Sequence, residues 1–126
     1  MAREVRKDES MRFLDKAKEF YKSALENHQK GRYSASLFDS SQSIILANDG
    51  YCIFRLGRRP SKDHKEAVRL HIEASFGGES KKEIITEALE KRGKYGYTEV
   101  ETRPKDSQLL LIRAKRFLDW ISSVAK

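Results

Sequence analysis

Apolar residues recur at helical spacing through most of the chain, and they are densest between Tyr33 and Leu56. In that run Tyr33, Leu37, Ile44, Ala47, Tyr51 and Phe54 line one side of a helix. Phe38, Ile45, Cys52 and Leu56 line a second side, and Leu46 with Ile53 a third. A helix that is apolar all round is buried among other helices, so this run predicts the central element. The same run carries Asp39, Ser40, Ser41, Gln42, Ser43, Asn48 and Asp49. A buried polar group without a hydrogen bond costs about 1–3 kcal/mol. The pattern therefore predicts a satisfied polar network, a polar seam turned to a partner, or polar residues facing water. Gly50 inside the run predicts a close helix crossing or a kink, because glycine costs about 1 kcal/mol against alanine there.

The flanking segments repeat the helical pattern. Ser10 caps a first helix running to about His28, with Leu14, Ala17, Tyr21, Ala24, Leu25 and His28 on one stripe beside Phe13 and Phe20. Lys30-Gly31 stops it, and so short a connection makes the central helix its antiparallel neighbour. GRRPSK at 57–62 is a break, since proline excludes helix at its predecessor. Asp63 or Ser61 caps a third helix from about His64 to Phe76, with Val68 and Ile72 as its apolar contacts and Ala67 and Phe76 alongside. A fourth begins at Ser80 with Glu83 completing a capping box. It turns Ile84, Ile85, Ala88 and Leu89 inward, with Arg92 one turn beyond Ala88. Gly93 to Pro104 reads as the longest non-helical stretch, and loops of about this length often carry function. A last helix runs from Pro104 or Lys105 to Val124. Residues 1–9 are charged and are expected to fray. These elements predict one all-α domain over 1–126, an antiparallel up-and-down helical bundle of four to five helices.

Composition narrows the partners. The chain has 126 residues, 36% of them charged, and a net charge of +7. That balance favours anionic partners, although Lys and Arg are interspersed with Glu and Asp, as in heat-adapted surfaces rich in ion pairs. The single cysteine, Cys52, lies in the apolar run and reads as a buried thiol. No run approaches the ~20 apolar residues of a membrane span, so a cytoplasmic location without membrane contact is expected. His28, His64 and His71 fall on different elements, and no metal site or cofactor is expected. There is no phosphate-binding glycine loop, dinucleotide fingerprint, zinc-protease helix motif or nucleophile elbow.

Two arginine-bearing segments are candidate sites. Arg58-Arg59-Pro60-Ser61-Lys62-Asp63-His64 places a histidine five residues after Arg59. Arginine stabilises charge on a phosphoryl group and histidine moves protons near neutral pH, which is the pairing for RNA cleavage. The bland alternative is a solvated basic loop before a helix. Arg92-Gly93-Lys94-Tyr95-Gly96-Tyr97 combines positive charge with rings, the pairing for nucleotides or single-stranded RNA. Its bland alternative is a helix C-terminus stabilised by basic residues, with the tyrosines packed over the bundle end.

LDKAKEFYKSAL at 14–25, GRYSASLFDSSQSII at 31–45, the helix-opening His64 and EKRGKYGY at 90–97 occur in an order that resembles the HEPN domain family, in its branch of small prokaryotic proteins. Arg92 and Tyr97 resemble the family's Arg-x-x-small-Asp-Tyr segment, with Gly96 in place of the aspartate. The resemblance implies an antiparallel helical bundle that dimerises. It implies either a metal-independent ribonuclease with an Arg-x4-6-His motif or a binding module beside a minimal nucleotidyltransferase. After Arg92 the positions for that histidine hold Gly96, Tyr97 and Thr98. The expectation is a non-catalytic, homodimeric module for nucleotides, RNA or a nucleotidyltransferase. It binds through Arg92, Lys94, Tyr95, Tyr97, Arg58 and Arg59. The alternatives are a toxin-like endoribonuclease using Arg92, Arg59 or His64, and a purely structural adaptor.

Overall fold

The computed structural model of the chain describes residues 3–4, 7–61 and 63–124. Among them five helices form an all-α bundle: α1 (Ser10–Gln29), α2 (Tyr33–Leu56), α3 (His64–Ala74), α4 (Lys82–Gly96) and α5 (Pro104–Val124). Every other helix packs on α2. Its Leu37, Ile44, Ala47, Tyr51, Cys52 and Ile53 are buried, and none of its large apolar side chains is exposed. One chain therefore covers α2, and its apolar surface does not by itself require a second copy.

The contact between α1 and α2 follows a seven-residue rule. Ser36 Oγ donates to Ala24 O at 2.8 Å, and Ser43 Oγ donates to Ala17 O at 2.7 Å. One further heptad along, a Cβ on Gly50 would stand 3.1 Å from Ser10 O and 3.0 Å from Leu14 Cγ. Residues 36, 43 and 50 thus meet 24, 17 and 10 in antiparallel register. Small side chains at each step let the two backbones approach, and each buried hydroxyl finds a carbonyl. Gly50 marks the close crossing expected of it. Ser10, expected as the N-cap, is instead the first residue of α1, and Glu9 stands at the N-cap position without a side-chain cap bond.

Polar residues of α2 are knit to its neighbours as well. Asp39 accepts from Ser23 Oγ at 2.8 Å and Asn27 Nδ2 at 3.0 Å. Asn48 Nδ2 donates to Ala67 O at 3.2 Å. The internal network is realised for Asp39, Ser43 and Asn48, whereas the buried hydroxyls of Ser40 and Ser41 have no partner among the described residues.

Helix α3 is rotated from the expected orientation: Ala67 and Val68 pack half-buried against the core as expected, but the other two expected contacts do not. Leu70, His71 and Ala74 are buried, whereas Ile72 and Phe76 are 44% and 64% exposed. A histidine can take the inward place because both ring nitrogens are satisfied. Nε2 accepts from Lys81 N at 2.8 Å, so Nδ1 carries the proton and donates to Asn48 Oδ1 at 3.0 Å. Tyr51, Phe117 and Trp120 surround the ring. Phe76 instead lies under the Arg55 guanidinium, 4.5 Å from its ring centre.

The other boundaries differ at three places. Asp63 caps α3 as expected, accepting from Lys65 N at 3.0 Å. The Ser80 capping box does not form, and α4 starts at Lys82, with the Lys81 N–H held by His71. At its other end α4 continues through Gly93 to Gly96, where a loop was expected. Tyr95 is buried in the core and Phe38 lies on Gly96, so packing outweighs the helix cost of two glycines. Part of the segment expected to fray is ordered: Arg3–Glu4 (β1) pairs antiparallel with Arg58–Arg59 (β2), and Lys7–Glu9 form a 3-10 turn. Residues 1, 2, 5 and 6 of that segment, and Lys62 of the α2–α3 connection, lie outside the described residues.

Two substitutions test this packing by denaturant unfolding. Gly50→Val should destabilise by about 1–3 kcal/mol through overpacking. Gly93→Ala, whose Cβ meets nothing within 4 Å, should stabilise by up to about 1 kcal/mol. A pH series tests His71, whose burial pushes its pKa down to about 4. His71→Phe takes the ring donor from Asn48 Oδ1 and the acceptor from the Lys81 N–H, so wild type should be more stable by about 1–3 kcal/mol at pH 7. The folded state must keep His71 neutral while the unfolded state takes up its proton. The wild-type advantage should therefore shrink as pH falls from about 6.5 toward about 4.

Candidate nucleotide-binding cleft

A cleft of about 570 Å³ opens where α2, α4 and the segment after β2 meet. Its floor is one stripe of α2: Gln42, Ile45, Leu46 and Asp49. That spacing of three, four and seven residues is one helix face. The floor is polar at both ends and apolar in the middle, and its ends are roughly 10 Å apart at 1.5 Å per residue.

One wall comes from the connection into α3. Arg59 is aimed by three restraints: the short β1–β2 ladder, the Phe13 ring 4.8 Å beneath its guanidinium, and a bond from Nε to Asp49 Oδ2 at 3.2 Å. Buried Pro60 and the hydrogen bond from Ser61 N to Glu66 Oε1 at 2.8 Å shape the turn that follows. His64, exposed at the start of α3, completes this wall. The opposite wall is α4, with Leu89 and Arg92, and Tyr97 just past its end.

The electrostatics differ between the two ends. Asp49 is 6% exposed, and burial raises its pKa to about 6 against the opposing charge and hydrogen bond of Arg59. The Arg59 charge is thus neutralised. Arg92 Nη1 donates to the amide oxygen Gln42 Oε1, and Arg92 pairs with no carboxylate among the described residues. Its positive charge remains available to the cleft. Beside it Tyr97 is 68% exposed and stands edge-on to Phe38 with ring centres 5.8 Å apart. The Phe38 ring lies where a side chain at 96 would go: a Cβ on Gly96 would be 2.8 Å from Phe38 Cδ1. Glycine at this position and the orientation of Tyr97 therefore have one cause.

The two segments singled out in the sequence thus contribute to one cleft: Arg59 and His64 from the first, Arg92 and Tyr97 from the second. Three other candidates lie elsewhere. Arg58 turns away to Glu73, Nη2 to Oε1 at 2.5 Å. Tyr95 is buried in the core, so its ring is closed to stacking, and Lys94 lies over that ring at 5.1 Å. Lys94 follows from α4 continuing past Arg92, which turns it away from the cleft lining. Gln42 and Asp49 were legible only as part of a polar run. Their spacing of seven around Ile45 and Leu46 was the available signal.

A second groove of about 520 Å³ lies between α3 and α4 and shares His64 and Leu89 with the first. Among the described residues, no three His, Cys, Asp or Glu side chains are grouped as a metal site, and no helix is long and apolar enough to cross a membrane.

No curated protein and no solved structure matches the chain. The family model for the HEPN domain matches residues 10–124, which takes in all five helices and every described residue lining the cleft. The chain belongs to the HEPN domain family.

Proposed function

We propose that this protein is a non-catalytic HEPN-type module that binds nucleotides or RNA in the cleft on α2. The observation that carries the reading is the un-neutralised Arg92 charge standing beside the exposed, oriented ring of Tyr97. A phosphate takes a charge-assisted hydrogen bond from Arg92, and a base stacks on Tyr97. The apolar Ile45–Leu46 floor excludes water from the same space. Homodimerisation and a minimal nucleotidyltransferase partner belong to this reading on the strength of the family resemblance. Sedimentation at micromolar concentration should give about twice the monomer mass, and a monomer there removes the dimer.

One observation favours a second reading, a metal-independent endoribonuclease. His64 shares the cleft with Arg59 and Arg92, which supplies a proton-transfer group in the same space as the un-neutralised Arg92. Against it, no histidine follows Arg92 at the family's catalytic spacing. Purified protein should leave total RNA intact in EDTA. Cleavage lost in both Arg92→Ala and His64→Ala would establish the ribonuclease instead.

Arg92→Glu tests the binding reading directly. Arg92 is half-buried and makes one side-chain bond, so the fold should survive with a stability change within about 1 kcal/mol. Affinity for AMP or a short RNA should fall at least about tenfold, the effect of losing one charge-assisted bond. Full binding with an unchanged melt, or a collapse of the melting temperature, would remove Arg92 from the site.

A further inference from the structure

The two ends of the cleft ask for different groups, and this specifies the ligand further. At the Gln42 end the un-neutralised guanidinium of Arg92 attracts an anion. At the other end Asp49 presents a carboxylate whose Oδ2 is held by Arg59 and which bonds to no other side chain among the described residues. Arg59 is itself fixed against Phe13, so the Asp49 carboxylate is oriented rather than free to swing. An ionised carboxylate repels phosphate and accepts from hydroxyl or amino groups.

Resting on the nucleotide-binding reading, we infer that the cleft selects ribonucleotides over deoxyribonucleotides, with the phosphate on Arg92 and the ribose hydroxyls donating to Asp49. The ends of the floor lie roughly 10 Å apart along α2, and the cleft above it holds about 570 Å³. In this arrangement Ile45 and Leu46 lie beneath the sugar and base, and the exposed Tyr97 ring lines the same cleft. A 2′-deoxy ligand leaves one acceptor position on Asp49 without its donor inside a largely buried setting. Sites built to bond a hydroxyl discriminate strongly against ligands that lack it. The 2′-hydroxyl is also what separates RNA from DNA at a contact of this kind.

The same chemistry is offered by a free nucleotide and by a residue within an RNA strand. Titration calorimetry with AMP, dAMP, a ribo-tetranucleotide and its deoxy counterpart covers both sources. Wild-type protein should bind the ribo form of at least one pair about tenfold or more tightly than its deoxy form. Preference in the mononucleotide pair identifies a free nucleotide, and preference only in the tetranucleotide pair identifies a strand. Asp49→Asn should lower that preference several-fold, with folding checked by circular dichroism, and an unchanged preference in the folded variant would overturn the assignment of the ribose hydroxyls to Asp49. Equal ribo and deoxy affinities in the wild type would overturn the ribose assignment and leave nucleotide binding standing. Absence of binding to all four ligands would overturn both.

Discussion

The seven-residue register between α1 and α2 is the constraint on which the other contacts depend. Ser36, Ser43 and Gly50 meet the backbone of Ala24, Ala17 and Ser10. Larger residues at any of these steps would hold the helices apart. With them in place, one side of α2 is spent on α1 at close range, and its remaining sides are fixed in angle. The consequence reaches the far end of the molecule: the side of α2 with Asn48 takes α3 through His71, and the side with Gln42 and Asp49 is left to form the cleft floor.

Polar residues in α2 therefore do two kinds of work. Ser36, Ser43 and Asn48 satisfy carbonyls of neighbouring helices and specify which neighbour goes where. Gln42 and Asp49 hold two arginines, Arg59 from the connection that follows α2 and Arg92 from α4. Because one acceptor is a neutral amide and the other a carboxylate, the two arginines end with different electrostatic roles. Arg92 keeps its charge, whereas Arg59 spends its charge orienting Asp49. The asymmetry of the site is thus encoded by two residues on one helix face, seven positions apart.

Much of this was legible in the chain. The bounds of α2, the start of α5 at Pro104 and the antiparallel pairing of α1 follow from periodicity and glycine stops. Local rules failed where a tertiary contact outweighed them. Val68 and Ile72 read as the apolar contacts of α3 with Ala67 and Phe76 alongside. Val68 and Ala67 do pack on the core, but a neutral, doubly bonded His71 is buried while Ile72 and Phe76 are exposed. No periodicity marks such a histidine as inward. Gly93 and Gly96 read as a loop, but Phe38 and the buried Tyr95 keep α4 helical. That extension withdraws Tyr95 and Lys94 from the site and delivers Tyr97 to it. Arg59, His64, Arg92 and Tyr97 were identifiable as residues, yet their convergence was hidden because the floor joining them is read only from the three-dimensional placement of Gln42 and Asp49.

The central claim is that the α2 stripe from Gln42 to Asp49 is the floor of a ligand site. Amide chemical-shift mapping of isotope-labelled protein during an AMP titration tests it most directly. The account predicts the largest shifts at Gln42–Asp49, at Arg59 to His64 and around Arg92 to Tyr97, with α5 and the α1–α2 seam nearly unmoved. Shifts concentrated instead along Val68, Ile72 and Thr86 in the neighbouring groove, or on the outer face of α5, would contradict it.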